Sequence, residues 1–342
     1  MKLEPITDNY NRKLRDLRVS VTDRCNYRCP YCMPLEVYGE KYEFLKRNEI
    51  LSFEEIERLV RLFVKLGVKK VRITGGEPLV RKDLESLISR INSIDSELDI
   101  ALTTNGYLLA EKVQNLKDAG LSRLTVSLDS LDEVTYKKMN GKGFGPDKVL
   151  NGIKRAEQIG FSPVKINVVV QKGYNDKNFL DVANHFRSSK NIVRFIEFMD
   201  VGNKNGWALN KVVPAKEILE VIDKKFPLEP VSPTYEGEVA KKYRYKDGAG
   251  EIGIISSVSQ PFCGDCTRAR LSTDGKLITC LFATKGVDLK TPIRDGSDDD
   301  ELISIIRSTW GQRTDRYSEL RSQNTDLDQL NKPKVEMYYI GG

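Results

Sequence analysis

Histidine is almost absent from this 342-residue chain, His185 being the only one. Chemistry that needs several imidazoles is thereby excluded, and a lone histidine in the helical stretch Phe179 to Ser188 reads as structural. No run of about 18 apolar residues occurs, so no membrane span is expected. Met1 to Asn11 lack the apolar core of a secretory signal, which predicts a reducing, cytoplasmic setting for the six cysteines. Low-complexity segments are missing, and no internal repeat exceeds a simple βα rhythm.

What is present suits a large enzyme. At 342 residues the chain exceeds a typical single domain, and 39% hydrophobic residues allow a substantial core. A net charge of +6 is mild for this length and fits an anionic small molecule at least as well as nucleic acid. Six segments rich in β-branched residues recur between helical patterns: Leu17 to Thr22, Lys70 to Thr74, Ile100 to Thr104, Leu124 to Leu128, Lys165 to Val170 and Ile192 to Phe198. That rhythm predicts βα units and a parallel sheet. Ser52 and Glu55 form a capping box ahead of an apolar stripe, Ile56, Leu59, Val60, Phe63 and Val64.

Strands buried on both faces are almost wholly apolar, yet five of these alternate. Leu17, Val19 and Val21 belong to one face, Arg18, Ser20 and Thr22 to the other; Val71 and Ile73 are opposed by Arg72 and Thr74. A closed eight-stranded barrel fills its interior with branched apolar side chains. A polar, cationic lumen therefore predicts an open or incomplete α/β barrel around a substrate cavity; a half-exposed antiparallel sheet fits the intervening helices poorly. After Phe226, Pro227, Pro230 and Pro233 punctuate the chain and the rhythm stops, so we expect units over 1–225 and 226–342. In the second unit Ser297 is expected to lead a helix whose buried stripe is Leu302, Ile305 and Ile306.

The cysteines fall into two triads, leaving no spare thiol. Cys25, Cys29 and Cys32 directly follow the first strand, where barrel enzymes place their chemistry. Structural zinc takes four protein ligands, whereas three thiolates on a four-iron cluster leave one iron open. Cys263, Cys266 and Cys280 repeat the count, with a zinc site completed by another ligand as the alternative. Arg268 and Arg270 follow the second triad. Arginine suits bidentate phosphate binding, and with Arg18, Arg72 and Lys165 these side chains are expected to converge on one polyanion.

Cys-x3-Cys-x2-Cys with Tyr31 before its last cysteine, and Gly75-Gly76-Glu77-Pro78 after the second strand, resemble the radical S-adenosylmethionine enzymes. The segments Leu17 to Arg24 and Phe198 to Gly202, the second triad with its arginines, and the terminal Gly341-Gly342 narrow the resemblance to the GTP 3′,8-cyclase family. It spans essentially the whole chain, with one departure: Asn11 stands before Arg12 where the family usually has glycine.

The resemblance implies an incomplete six-stranded (βα) TIM-like barrel, closed by a C-terminal region that carries a second cluster. It implies two 4Fe–4S clusters and S-adenosylmethionine as cofactors, the latter lined by Tyr31, Gly76, Ser127 and Met199. A deoxyadenosyl radical would take the 3′ hydrogen of GTP, whose C3′ then attacks guanine C8, giving (8S)-3′,8-cyclo-7,8-dihydroguanosine 5′-triphosphate in the first step of molybdenum cofactor biosynthesis. Arg18, Arg72, Thr103, Lys165, Arg268 and Arg270 match the family's GTP residues. Arg18, Arg268, Arg270, Gly341 and Gly342 are implied in the reaction itself, the two glycines as a tail threaded into the cavity. The implied partners are an electron donor such as flavodoxin or ferredoxin, a cyclic pyranopterin monophosphate synthase that takes the product, and a second copy in a homodimer, with neither nucleic acid nor membrane. Two other readings compete: a peptide-modifying maturase of the same superfamily, and an iron–sulfur regulator or RNA-binding protein, which would need an exposed basic and aromatic surface.

Overall fold

Alternation of apolar and polar residues places six parallel strands at the centre of the structure, a computed structural model that describes residues 4–235, 237–321 and 332–341. They are β1 (Asp16–Ser20), β2 (Lys70–Thr74), β3 (Asp99–Thr104), β4 (Arg123–Ser127), β5 (Lys165–Val170) and β6 (Ile192–Glu197). Each lies within two residues of its expected bounds at either end. Leu17, Val19, Val71, Ile73, Ile166 and Val168 are fully buried against the surrounding helices. Arg18, Arg72, Lys165 and Asn167 point the other way, into a common cavity.

Helices α1 (Phe53–Lys65), α2 (Leu84–Asn92), α3 (Leu109–Asp118), α4 (Glu133–Asn140), α5 (Asp147–Gln158), α6 (Phe179–Phe186) and α7 (Ala215–Lys225) follow or link these strands. In α1 the expected capping box forms: Glu55 N–H donates to Ser52 Oγ at 3.2 Å, and Ser52 N–H to Glu55 Oε2 at 2.7 Å. Ile56, Leu59, Val60 and Phe63 are buried; Val64 is only half-buried at the stripe's edge. His185 lies exposed on α6, away from the cavity.

Beyond residue 226 the chain continues the same sheet. Strands β7 (Leu228–Val231), β8 (Lys241–Tyr245), β9 (Glu251–Ile255), β10 (Arg268–Leu271), β11 (Lys276–Ile278) and β12 (Val287–Asp288) give the order β12-β11-β10-β1-β2-β3-β4-β5-β6-β9-β8-β7. β9 pairs parallel with β6 and β10 parallel with β1, so the C-terminal region extends the parallel array at both edges. Among the described residues the two ends of this order do not pair. Residues of β1, β2, β3, β5, β6, β9 and β10 nevertheless line one cavity, so the sheet wraps around it as an incomplete barrel.

Two helical details differ from expectation. In α9 (Asp299–Gly311) the N-cap is Asp298 rather than Ser297, because the cap needs a partner three residues on. Glu301 N–H donates to Asp298 Oδ1 at 2.9 Å while the longer glutamate side chain reaches back to Asp298 N–H; Ser297 takes part through its backbone, its carbonyl accepting from Arg58 and its N–H donating to Pro292 O. The buried face of α9 is Leu302, Ile303, Ile306 and Trp310, with Ile305 half-exposed, since Trp310 turns inward to donate its indole N–H to Arg12 O at 3.0 Å. Short helices α8 (Lys290–Arg294) and α10 (Tyr317–Arg321) flank α9. Among the described residues no helix is long and apolar enough to cross a membrane.

Candidate active site

The first cysteine loop is held by backbone proximity that only glycine permits. Gly76 N–H donates to Thr22 O at 2.7 Å, and a Cβ on Gly76 would lie 2.4 Å from Arg24 O. Glu77 is buried beneath the loop and accepts from Leu79 N–H, Thr104 Oγ1 and Asn105 N–H at 3.0, 2.7 and 2.7 Å. Burial pushes its carboxyl up to about 7 against those three donors. Tyr31 donates to Asp129 Oδ2 at 2.7 Å, which fixes the ring beside the triad. Burial raises the Cys25 thiol to about 12, with Glu77 adding to the effect.

The second triad is bracketed by a buried ionic network. Arg12 Nε donates to Asp8 Oδ2 at 2.6 Å, and its Nη1 to Cys263 O at 2.8 Å. Arg313 Nη1 donates to Cys266 O at 2.7 Å and reaches Asp8 Oδ2 at 3.4 Å. The turn that delivers Arg12 passes through Asn11 at φ 59°, the left-handed region where glycine is easiest and asparagine the next best choice. Burial opposes ionisation of Cys266, yet Arg268 and Arg313 hold its thiol down at about 6. Arg268 Nη2 lies 3.3 Å from that sulfur.

All six cysteines are unpaired and half-buried. Among the described residues, no three Cys, His, Asp or Glu side chains gather as they would around a single metal ion. Thiols on two separate loops, with backbone N–H and guanidinium groups at the sulfurs, fit iron–sulfur clusters: Tyr27 N–H donates to Cys25 Sγ at 3.4 Å, beside the Arg268 contact to Cys266.

Next to the second triad opens a cavity of about 450 Å³. Its wall carries Arg18, Arg72, Thr103, Lys165, Met199, Arg268 and Arg270, together with Cys263, Cys266 and Cys280. Arg72 Nη1 donates to Thr103 Oγ1 at 3.0 Å and Thr125 Oγ1 at 3.2 Å. Burial, then the charges of Arg270, Arg268 and Arg72, pushes Arg18 well below the usual guanidinium range. Burial and the neighbouring Arg194, Lys70, Arg123 and Arg72 lower Lys165 to about 7. A wall in which these buried and half-buried cations outnumber the lining carboxylates Asp16, Glu238, Glu251 and Asp315 is an arrangement that a polyanion relieves.

Gly341 reaches this array from the other side. Arg270 Nη1 donates to Gly341 O, and the glycine has φ 71° with its α-carbon so close that a Cβ would meet Thr74 Cγ2 at 2.0 Å. Gly341 is thus placed against Arg270 and Thr74, outside the wall of the cavity itself; Gly342 lies outside the described residues. Cys25, Cys29, Cys32, Tyr31, Gly76 and Ser127 stand at the C-terminal ends of the first strands and their loops, beyond the wall of the cavity itself.

Arg194, Lys70 and Tyr235 also line the cavity and were not singled out in the sequence. Arg194 donates to Asn167 Oδ1 at 3.0 Å, and burial together with Arg72 lowers it to about 9. The alternation of Ile192 to Glu197 already places Arg194 on the polar face, so the signal was present. Tyr235 sits in a loop with no periodicity to mark it, within 5.8 Å of Lys70 Nζ.

Residues 19–186 match the Radical SAM superfamily and residues 191–319 match Molybdenum Cofactor Synthesis C. Proteins named GTP 3′,8-cyclase from Staphylococcus saprophyticus and Staphylococcus carnosus are 49% and 51% identical over 341 residues, covering 99% of this chain and all of each relative. Among solved structures, SuiB of Streptococcus suis bound to S-adenosylmethionine superposes with a TM-score of 0.60, covering 87% of this chain and 69% of SuiB. At 16% identity that likeness concerns the fold alone. With about half its residues shared along the full length of such relatives, the chain belongs to the GTP 3′,8-cyclase family.

Proposed function

We propose that the cavity binds GTP with its triphosphate among Arg18, Arg72, Lys165, Arg194, Arg268 and Arg270, and that the chain converts it to (8S)-3′,8-cyclo-7,8-dihydroguanosine 5′-triphosphate. The reaction is the first step of molybdenum cofactor biosynthesis. One observation carries the binding reading: a cationic cavity inside the sheet has Cys263, Cys266 and Cys280 in its wall, while Cys25, Cys29 and Cys32 lie on the loop that follows β1.

Cys25, Cys29 and Cys32 hold one 4Fe–4S cluster in this reading, and Cys263, Cys266 and Cys280 the other. When bound, the first cluster supplies the electron that opens S-adenosylmethionine and so starts the radical chemistry. The protein contributes position and charge. Tyr31, fixed by Asp129, and Gly76, Ser127 and Met199 orient S-adenosylmethionine at the strand ends. Arg18, Arg268 and Arg270 hold the nucleotide so that its ribose faces that cofactor. Gly341 fills the remaining space beside Thr74 without a side chain to obstruct it. Residues 1–225 form the radical-generating half and residues 226–342 cover it and present the nucleotide.

The same reading assigns a flavodoxin or ferredoxin as electron donor, a cyclic pyranopterin monophosphate synthase as recipient of the product, a homodimeric state and a cytoplasmic setting. Anaerobic reconstitution, iron counting and incubation with S-adenosylmethionine, reductant and each nucleoside triphosphate test it. A cyclised product is expected with GTP. Deoxyadenosine formed without any GTP-dependent cyclised product overturns the assignment of substrate.

A further inference from the structure

We propose that Lys334 is the residue that seats the C-terminal tail, through a cage built by Asp200, Phe282, Tyr317 and Arg321. The Lys334 side chain is only 7% exposed, and a buried ammonium is costly unless it is paired and hydrogen-bonded. Here it is both. Its Nζ donates to Asp200 Oδ2 and to Asp200 O, each at 2.9 Å. It also stands 4.6 Å from the Tyr317 ring and 5.7 Å from the Phe282 ring, which stack on one another with centroids 4.6 Å apart.

The four walls of the cage come from parts of the chain that matter elsewhere. Asp200 follows Met199, which lines the cavity. Phe282 lies two residues beyond Cys280, and Tyr317 and Arg321 are the two ends of α10. A lysine seated here ties the tail to the second cysteine loop and to the end of β6 together. The next residues continue the docking in order: Val335 N–H donates to Ala283 O at 2.8 Å, and Glu336 Oε1 accepts from Asn203 N–H at 3.0 Å. Tyr338 then enters the first cysteine loop, packing on Met33 and Tyr38 and sharing a 2.7 Å hydrogen bond with Tyr42, before Gly341 reaches Arg270.

The cage stays satisfied without its guest. Asp200 also accepts from Tyr317 Oη at 2.6 Å and from Arg321, which in turn donates to Ser257 O at 2.7 Å. Removing the ammonium of Lys334 therefore releases the tail and leaves no uncompensated charge in the cage. Docking itself stands on geometry alone; its consequence for turnover rests on the GTP 3′,8-cyclase reading.

The test compares the full reconstituted chain with Lys334→Met and Lys334→Arg by hydrogen–deuterium exchange. In Lys334→Met, amides of residues 335–341 should exchange about tenfold faster or more while β1 to β6 stay unchanged, and Lys334→Arg should retain most of the protection. In the same samples, cyclised nucleotide should fall about tenfold while deoxyadenosine formation stays within about threefold. Unchanged exchange at 335–341, or equal acceleration throughout the sheet, overturns the proposal. A wild-type protein that yields no cyclised product would remove the functional reading, and the exchange data would still decide the cage.

Discussion

Arg18 of β1 stands directly opposite Arg270 of β10 in the parallel ladder, and its neighbour on the other side is Arg72 of β2. Three guanidiniums thus share one row across three adjacent strands. Like charges placed side by side on a sheet face oppose folding. Arg18 bears this most directly, because among the described residues no hydrogen bond or ion pair holds its side chain. The row makes sense as half of an ionic site whose other half is the ligand.

Replacing Arg18 should therefore separate stability from binding. In Arg18→Met the unliganded protein should melt about 1–3 °C higher, since a half-buried cation flanked by Arg270 and Arg72 is removed and the methionine fills similar space. Affinity for GTP should fall about 10- to 100-fold, as a charge-assisted phosphate contact is lost. Thermal melts with and without GTP measure both effects. A lower unliganded melting temperature would contradict the reading of Arg18 as a strained cation.

Lys165 makes the site sensitive to pH. Its folded pKa of about 7 lies below the ordinary value of 10.5, mainly through burial and then through Arg194, Lys70, Arg123 and Arg72. Between those two values the folded chain binds fewer protons than the unfolded one, so this group makes the unliganded protein more stable as pH rises through that window. In the proposed binding mode, phosphate beside Lys165 would draw its pKa back up, so binding would take up a proton above pH 7 and GTP affinity would weaken toward pH 9. Calorimetry at pH 8 in buffers of different ionisation heat should show net proton uptake in the wild type. Lys165→Met should show clearly less, the remainder belonging to Lys70, which is lowered to about 8. Equal uptake in both proteins would rule Lys165 out as the titrating group.

The parts of this site that were legible in the sequence are those carried by local periodicity. Alternation on β1, β2 and β5 put Arg18, Arg72 and Lys165 on one face, and Ser52 with Glu55 marked the start of α1. Cysteine spacing located both loops. Relations made by long-range pairing were not legible. Nothing local to Glu251–Ile255 or Arg268–Leu271 says that they extend opposite edges of one parallel sheet. Likewise Asp8 and Arg313 are 305 positions apart, and their meeting depends on where α9 lands. Ser297 and Asp298 are both good caps for α9, and only the reach of Glu301 decides for Asp298.

At Gly341 the structure predicts a rescue. Alanine there would place its Cβ 2.0 Å from Thr74 Cγ2 and adopt φ 71°, so the tail must withdraw. Gly341→Ala should lower cyclised product about tenfold or more while deoxyadenosine formation persists. Thr74→Ala removes the colliding methyl, and the double variant should recover part of the loss, leaving a residue of about 1 kcal/mol from the left-handed backbone. Rate measurements on the four proteins form a cycle, and strict additivity would show that the two side chains do not collide.

Asp8 is the counterion on which the second triad's bracket depends. Its side chain is fully buried, with those of Arg12 and Arg313 at 2% and 1% exposure. Asp8→Ala leaves two guanidiniums with no shared carboxylate and removes the acceptor for Tyr10 and Arg12 N–H, so a loss of about 3–5 kcal/mol is expected in denaturant titrations. Asp8→Asn keeps that acceptor and should cost less. Because Arg12 and Arg313 grip the carbonyls of Cys263 and Cys266, the damage should be confined to one cluster. Iron counts resolve this under the proposed cluster assignment: in a Cys25→Ser background, where the second triad would hold the remaining iron, Asp8→Ala should deplete it. In a Cys263→Ser background it should leave the first triad's iron unchanged. Equal losses in both backgrounds would mean that Asp8 supports the fold at large and not the second cysteine loop.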